Sequence, residues 1–211
     1  MNNKNRILKL AAGTAIAFSA LLSPLGMTAN SASNQGYVTL STTMPSDTAN
    51  KTEVLEFFAY SCPHCAAADP IVESWSETLP DNIAFNRVPV AFNAGMGDLQ
   101  RMYYTLEALD RLDLHPKLFD ALHKERKSLF DAKALAKWAV DQGISKDEFD
   151  ATFSSFGVNT KIAKANDLAK AYRIDATPMM AVGGKYVTSP SMTNGLAEMV
   201  QQADALVKQL D

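Results

Sequence analysis

The sequence contains few cysteines, histidines and tryptophans, and it has no excess of basic residues. Its 211 residues include two Cys, three His and two Trp. Two cysteines cannot form the framework of several bridges that holds a small secreted scaffold together. The 20 Lys and Arg residues are outnumbered by 23 Asp and Glu residues. The chain therefore lacks the charge to neutralise many phosphates, and we expect no nucleic-acid partner.

The composition is otherwise that of a globular protein. Hydrophobic residues make up 47% of the chain and charged residues 20%, which excludes a disordered tail protein and a collagen-like repeat. A chain of this length can bury one substantial core, or a core with an inserted subdomain, but not two large domains.

The N-terminal residues follow the three-part pattern of a secretory signal peptide. Three basic residues come first: Lys4, Arg6 and Lys9. An apolar stretch from Leu10 to Leu22 follows, and it is shorter than the roughly 20 apolar residues of a membrane anchor. Small residues behind it are candidate cleavage positions: Ala29, Ser31 and Ala32. No cysteine lies there for lipid attachment, so we predict a cleavable signal peptide over residues 1–32 and an exported, soluble, acidic protein.

The two cysteines, Cys62 and Cys65, are only three positions apart. Disulfides persist in an oxidising compartment, and an even number of cysteines usually indicates a structural bridge. A bridge between these two would close a very short loop, which removes little entropy from the unfolded chain. A structural role is therefore a poor explanation for the pair, and a chemical role is a better one.

The pattern around the cysteines predicts a strand followed by a helix. Val54 to Tyr60 is rich in aromatic and branched residues and indicates a buried strand. Ser61 is a candidate N-cap and Pro63 is tolerated in a first helical turn, so a helix should begin at the cysteines. Pro70 should kink this helix, because it has no N–H to donate.

The rest of the chain predicts a second strand, a helical block and a hairpin. Gly183-Gly184 is a typical two-residue hairpin turn. The predicted elements in chain order are a strand at 83–92, helices between 98 and 156, a helix at 159–172, strands at 179–182 and 185–188, and a last helix at 196–207.

Three segments resemble the DsbA family of exported thiol-disulfide oxidoreductases. They are Phe-Phe-Ala-Tyr-Ser-Cys-Pro-His-Cys at 57–65, Ala-Thr-Pro at 176–178 and Val-Gly-Gly-Lys-Tyr at 182–186. The resemblance covers nearly the whole chain after the signal peptide. It implies an α/β, thioredoxin-like fold over residues 33–97 and 158–211, with an all-helical domain inserted at 98–157.

The cysteine motif itself predicts a reactive thiolate. A helix N-terminus lowers the pKa of a thiol there, so Cys62 should ionise readily. His64 can add a positive charge or an N–H donor to the same thiolate. A stabilised thiolate is a good leaving group, and the resemblance implies a strongly oxidising disulfide. Cys65, one turn into the helix, is then the resolving cysteine.

A metal site at the motif is a weaker alternative. Zinc needs about four ligands, or three and a water, and Cys62, His64 and Cys65 cannot easily converge from one helical turn. We expect the other two histidines, His115 and His123, to be surface or partly packed residues. A c-type haem would need a histidine where Ala66 stands. We therefore expect neither a metal nor another bound cofactor.

The resemblance also implies a substrate-binding surface formed by Pro63, Thr177 and Pro178. In this family a cis proline lies beside the cysteines, and the backbone of the residue before it pairs with an extended substrate segment. Such strand addition binds main chain and tolerates many sequences. Thr177 stands where classical members carry Val, which leaves the redox potential open.

Glu56 lies six residues before Cys62, where the thioredoxin family has a buried acid. The resemblance implies that Glu56 transfers a proton to or from Cys65. The alternative is an acid on the solvent face of an edge strand, because strand faces are uncertain by one residue. Arg87 matches a position that is often Lys in the family, and it could pair with Glu56 but could not release a proton.

These patterns together predict a periplasmic oxidase that donates the Cys62–Cys65 disulfide to reduced, unfolded exported polypeptides. The resemblance implies a membrane reoxidase of the DsbB type. Exported isomerases of the same fold carry an N-terminal dimerisation domain, and the short segment before Val54 favours a monomeric oxidase. An isomerase or reductase remains an alternative, as does a peptide-binding holdase in which the cysteines are incidental.

Overall fold

A five-stranded mixed sheet forms the centre of the computed structural model, which describes residues 36–210. Its strands are β1 (Val38–Thr39), β2 (Thr52–Phe58), β3 (Ile83–Pro89), β4 (Met179–Val182) and β5 (Tyr186–Thr188). They lie in the order β1-β5-β4-β2-β3, with β2 and β3 parallel and the other neighbours antiparallel. The predicted signal peptide, residues 1–32, lies outside the described residues.

Eight helices accompany this sheet in the described part of the chain. They are α1 (Pro63–Ser76), α2 (Gly97–Ala108), α3 (His115–His123), α4 (Ala132–Asp141), α5 (Lys146–Phe153), α6 (Phe156–Ala171), α7 (Pro190–Thr193) and α8 (Leu196–Leu210). Short 3-10 turns at Ala94–Met96 and Leu112–Leu114 precede α2 and α3. Between residues 36 and 210 no helix is long and apolar enough to cross a membrane.

The alternation of side chains along β2 creates two cores. Val54 packs with apolar residues of α1 and α8 on one face of the sheet. Leu55 and Phe57 pack on the other face, with residues of α2, α3 and α6. Because β2 is a central strand with helices on both sides, its side chains are buried on both faces. Glu56 shares the face of Val54 and is therefore buried beside α1.

The helices between β3 and β4 pack mainly on one another. α2 contacts α5 and α6, α4 contacts α5, and α3 contacts α1. Ser155 caps α6 through its hydroxyl oxygen, which accepts a bond from the Val158 N–H. The helix therefore begins at Phe156, earlier than predicted, and the predicted domain boundary after residue 157 falls inside it.

Several other predicted boundaries differ from the structure. Strands β2 and β3 end at Phe58 and Pro89, earlier than predicted, because the chain after each turns toward the next helix. Cys62, and not Ser61, is the N-cap of α1, and the helix continues through Pro70. The hairpin turn is formed as predicted by Gly183 and Gly184, which have φ angles of +60° and +68° that other residues rarely adopt.

Candidate active site

The local sequence places both cysteines at the start of α1. The chain turns after β2, and the Cys62 N–H donates to the Ala59 carbonyl oxygen at 3.0 Å. Cys62 has extended backbone angles at the N-cap, and Pro63 fills the first helical position, where a missing N–H costs nothing. Cys65 then lies one turn into the helix and faces the core, where it is 1% exposed.

The Cys62 thiol is half-buried and contacts the segment before β4. Its Sγ donates to the Thr177 carbonyl oxygen at 3.3 Å. The Thr177–Pro178 peptide bond is cis. The structure thus brings together Cys62 and Thr177, although they are 115 positions apart in sequence. Pro178 is buried, whereas Pro63 is exposed at the tip of the helix.

The two thiols have opposite acidities. A hydrogen bond from the Cys65 thiol is the largest influence on Cys62, and it lowers the pKa of Cys62. Partial burial opposes it, but backbone N–H groups of Cys65 and His64 and the Thr177 side chain also stabilise the thiolate. The resulting pKa of Cys62 is about 5. Burial raises the pKa of Cys65 well above its ordinary range, and the bond to Cys62 adds to this effect.

The imidazole of His64 is exposed at the tip of α1. The contribution of His64 to the Cys62 thiolate in this structure comes from its backbone N–H. The role predicted for its side chain stays a prediction. Within residues 36–210, no group of three or more His, Cys, Asp or Glu side chains is arranged to hold a metal ion.

Glu56 is buried beneath this helix and pairs with Arg87. The two residues are register partners in the parallel pair β2–β3, so their side chains leave the sheet on the same face. Arg87 Nε lies 3.0 Å from Glu56 Oε2. Burial raises the pKa of Glu56 to about 7, and the attraction of Arg87 offsets only part of that shift. Glu56 can therefore hold or release a proton near neutral pH.

Arg87 also forms ion pairs with two acidic residues of α1, which we did not predict as part of the site. Its Nη2 lies 3.4 Å from Asp69 Oδ1 and 2.7 Å from Glu73 Oε2. Cys65, Asp69 and Glu73 follow one another at four-residue intervals and so share one face of α1. That spacing was visible in the sequence, and it could have indicated that acids line the helix face below the cysteines.

The prediction that His115 is a surface or partly packed residue is wrong. It is 4% exposed, because α3 packs this face against α1. Its Nε2 lies 3.0 Å from Asp69 Oδ1, and its Nδ1 lies 2.7 Å from the Tyr60 hydroxyl. His123 is partly buried, as predicted. The sequence carried no signal for the bond between His115 and Tyr60, which depends on how α3 docks.

The chain is similar to curated thiol:disulfide interchange proteins. The DsbA of Bordetella parapertussis is 50% identical over 202 residues, which cover 95% of this chain and 95% of that protein. The DsbA of Pseudomonas aeruginosa is 35% identical over 193 residues, which cover 90% and 92%. A family model for the DSBA-like thioredoxin domain matches residues 80–207, a range that begins after the cysteines.

Solved structures show the same architecture. The crystal structure of Pseudomonas aeruginosa DsbA superimposes with a TM-score of 0.79 at 36% identity, covering 83% of this chain and 92% of that one. The oxidoreductase DsbA from Xylella fastidiosa has a TM-score of 0.77 at 27% identity, covering 83% and 95%.

Proposed function

The chain belongs to the DsbA-like thioredoxin family, and from this membership we propose that it is a periplasmic dithiol oxidase. The similarity confirms the predicted fold class, α/β and thioredoxin-like. The chain is a thiol-disulfide oxidoreductase, as its relatives are. We further propose the direction of exchange, the substrates and the roles of the site residues.

The asymmetry of the two cysteines supports the oxidising direction. Cys62 is accessible and has a pKa of about 5, so its thiolate is stable at neutral pH. Stabilising this thiolate favours the reduced form of the pair, and a pair that prefers to be reduced is a strong oxidant. Cys65 is buried, which keeps its sulfur away from incoming thiols, and burial raises its pKa, so that it holds its proton once reduced.

The reaction begins with the Cys62–Cys65 disulfide and two substrate thiols. One substrate thiolate attacks Cys62 Sγ, the S–S bond breaks, and Cys65 leaves with the electron pair and takes up a proton. The second substrate thiolate attacks the substrate sulfur of the mixed disulfide, and Cys62 leaves as a thiolate. The substrate has then lost two electrons and gained a disulfide, and the protein holds both electrons as two reduced cysteines.

Glu56 is proposed as the source of the proton for Cys65. The leaving Cys65 sulfur needs a proton because burial disfavours its thiolate. A carboxyl group with a pKa of about 7 is partly protonated at neutral pH and is suited to general acid and base work. Arg87 holds Glu56 in place but cannot itself supply the proton.

Pro63, Thr177 and Pro178 are proposed to bind the substrate segment that carries the reacting thiol. The contact between Cys62 Sγ and the Thr177 carbonyl oxygen supports this assignment, because it places the backbone of Thr177 beside the reacting sulfur. A bound segment could pair with that backbone by strand addition, which requires no particular substrate sequence.

The physiological setting is also part of the proposal. Reduced, unfolded exported polypeptides would be the substrates, and a membrane reoxidase of the DsbB type would take the two electrons from the reduced cysteines. The protein would act as a monomer in the periplasm without a bound cofactor, because the cysteines carry the chemistry. The predicted signal peptide supports export.

Trapping of the mixed disulfide tests the function. In Cys65→Ala, the Cys62 thiolate can still attack a disulfide of an exported protein, which releases one of that protein's sulfurs as a thiolate. No second cysteine is left in the variant to resolve the mixed disulfide. Mixed disulfides with exported proteins should accumulate on non-reducing gels and disappear on reduction. The matched control, Cys62→Ala, should trap none. If Cys65→Ala traps nothing while its Cys62 thiol remains titratable, the exchange mechanism is wrong. An equilibrium of the wild-type pair with glutathione that favours the oxidised protein would indicate a reductase.

A further inference from the structure

Helix α3 contacts Tyr60 along one face. His115, Phe119 and His123 are spaced four residues apart, so they lie in a row on α3. His115 bonds the Tyr60 hydroxyl at 2.7 Å, and the Phe119 ring lies 4.9 Å from the Tyr60 ring. His123 Nε2 lies 2.7 Å from the Tyr60 carbonyl oxygen. The tyrosine is thus held at its hydroxyl, its ring and its backbone by a single helix.

The bonding roles in this arrangement follow from the available donors and acceptors. The Tyr60 carbonyl only accepts, so His123 Nε2 carries a proton and donates it. The Asp69 carboxylate also only accepts, so His115 donates from Nε2 and accepts the Tyr60 hydroxyl proton at Nδ1. Burial lowers the pKa of His115 and raises the pKa of Tyr60, and both groups are therefore neutral, as this pattern requires.

Tyr60 belongs to the turn that carries the reactive cysteine. It lies between Ala59, whose carbonyl accepts the Cys62 N–H, and Cys62 itself. The donors that stabilise the Cys62 thiolate are short-range and directional, and such bonds weaken steeply with distance and angle. The position of this turn therefore affects how well those donors meet the sulfur.

We propose that His115 and His123 are positioning residues, which hold Tyr60 at its hydroxyl and its carbonyl and thereby fix the turn that presents Cys62. Neither histidine touches the reacting sulfur, and both act through Tyr60. This role couples α3, a helix of the predicted insertion, to the acidity of the thiol at the tip of α1. The inference rests on the proposed function, because positioning matters only if Cys62 reacts as a thiolate.

The test measures the pKa of Cys62 in the reduced protein. The ultraviolet absorbance of the thiolate is recorded as a function of pH. Tyr60→Phe removes the bond to His115 and keeps the ring, and His123→Ala removes the bond to the carbonyl. Each should raise the pKa of Cys62 by roughly half a unit, about threefold in the ionisation constant. His123→Gln can present an amide N–H to the same carbonyl, so the pKa of Cys62 in this variant should stay close to the wild-type value.

Tyr104→Phe is the control for loss of a tyrosine hydroxyl from a residue that is mostly buried. Tyr104 lies on α2 and is 8% exposed, and its ring contacts the Tyr103 ring and not the Tyr60 ring. This variant should leave the pKa of Cys62 unchanged. His115→Ala is less suitable as a test, because it removes a buried bond of Asp69 and leaves the Tyr60 hydroxyl without its partner, which destabilises the fold itself. If His123→Ala does not fold, Tyr60→Phe alone decides the proposal.

A merely structural role would change only stability. If Tyr60→Phe and His123→Ala fold and melt at lower temperature but keep the wild-type pKa of Cys62, the positioning role is wrong. If the wild-type pKa of Cys62 is itself near its ordinary value of 9.0, the proposed oxidase function fails instead. The two failures are distinguished by the wild-type titration.

Discussion

The surroundings of the α1 tip favour a negative charge, whereas the surroundings of Glu56, on β2 beneath the buried face of the same helix, disfavour one. At the tip, Cys62 meets several hydrogen-bond donors, and its pKa falls to about 5. Below it, Glu56 is enclosed by the sheet and α1, and its pKa rises to about 7 although Arg87 lies 3.0 Å away. Directional donors determine the outcome at the tip, and loss of solvation determines it below.

The comparison teaches that the surroundings of one helix can lower the pKa of a thiol at its tip and raise the pKa of a carboxyl group beneath it. At neutral pH the half-buried Cys62 sulfur is ionised, while the buried Glu56 carboxyl group is about half protonated. The proposed reaction uses both states, because Cys65 must gain a proton when the disulfide opens and Cys62 must leave as a thiolate when the mixed disulfide is resolved. The opposed pKa shifts provide both states at the same pH.

The largest expected effect comes from removing the buried charge with Glu56→Gln. A folded pKa of about 7 against 4.5 means that the folded wild type keeps a proton that the unfolded chain loses. The free energy of unfolding therefore falls as pH rises from 4.5 to 7, by about 3 kcal/mol in total. Glutamine cannot ionise, so this decrease should be absent. Chemical denaturation at several pH values measures this decrease in the free energy of unfolding. The oxidised proteins are used because Cys62 has no thiol to ionise in the disulfide.

Glu73→Gln is the control for this prediction. Glu73 bonds the same arginine but is exposed, and Glu56 remains in the variant, so the wild-type decrease should persist. Curves for wild type and Glu56→Gln that run parallel between pH 4.5 and 8 would show that Glu56 ionises normally. The contrast between the tip and the buried face would then be lost.

The second prediction concerns the tip and compares the reduced with the oxidised protein. A folded pKa of about 5 stabilises the reduced form fully above the ordinary pKa of 9.0, and this stabilisation disappears as pH falls through 5. At pH 7 it is at most about 3 kcal/mol, which screening of a half-exposed thiolate reduces to roughly 1–2 kcal/mol. The reduced protein should melt about 2 to 8 °C above the oxidised one, and the gap should narrow toward pH 4.

His64→Ala sharpens this prediction. If the imidazole adds to the field at the thiolate, the gap at pH 7 should shrink. Lys137→Ala, at an exposed ion pair on α4, should leave the gap unchanged. An oxidised form that is more stable than the reduced form at pH 7 would contradict the oxidase function and favour a reductase.

The same contrast explains how much of the site could be predicted from the sequence. The reactive tip depends on neighbours in the chain, so the motif from Cys62 to Cys65 was enough to place it. Burial of Glu56 followed from alternation along β2 once that strand proved to be central. His115 could not be predicted, because helical periodicity does not show which polar residue faces another helix. The Glu56–Arg87 contact required the parallel register of β2 and β3.

The smallest expected effect comes from Thr177→Val. Valine keeps the branched shape and the backbone carbonyl that contacts Cys62 Sγ, and it removes only the hydroxyl that stabilises the thiolate. The pKa of Cys62 should rise by roughly 0.3 to 0.5 units, about two- to threefold in the ionisation constant. At pH 7 a higher pKa destabilises the reduced form, so the glutathione equilibrium should move toward the oxidised protein by the same factor.

Both titration of the thiolate and the glutathione equilibrium should report this change, and Thr160→Val on the exposed face of α6 should report none. The expected change is small because several donors share the thiolate, and the Cys65 thiol contributes more than Thr177. A rise of a full unit or more in the pKa of Cys62 would mean that its thiolate is stabilised mainly by the Thr177 hydroxyl. An unchanged pKa would mean that Thr177 contacts Cys62 only through its backbone. The hydrogen bonds that stabilise the Cys62 thiolate would then all come from groups of α1.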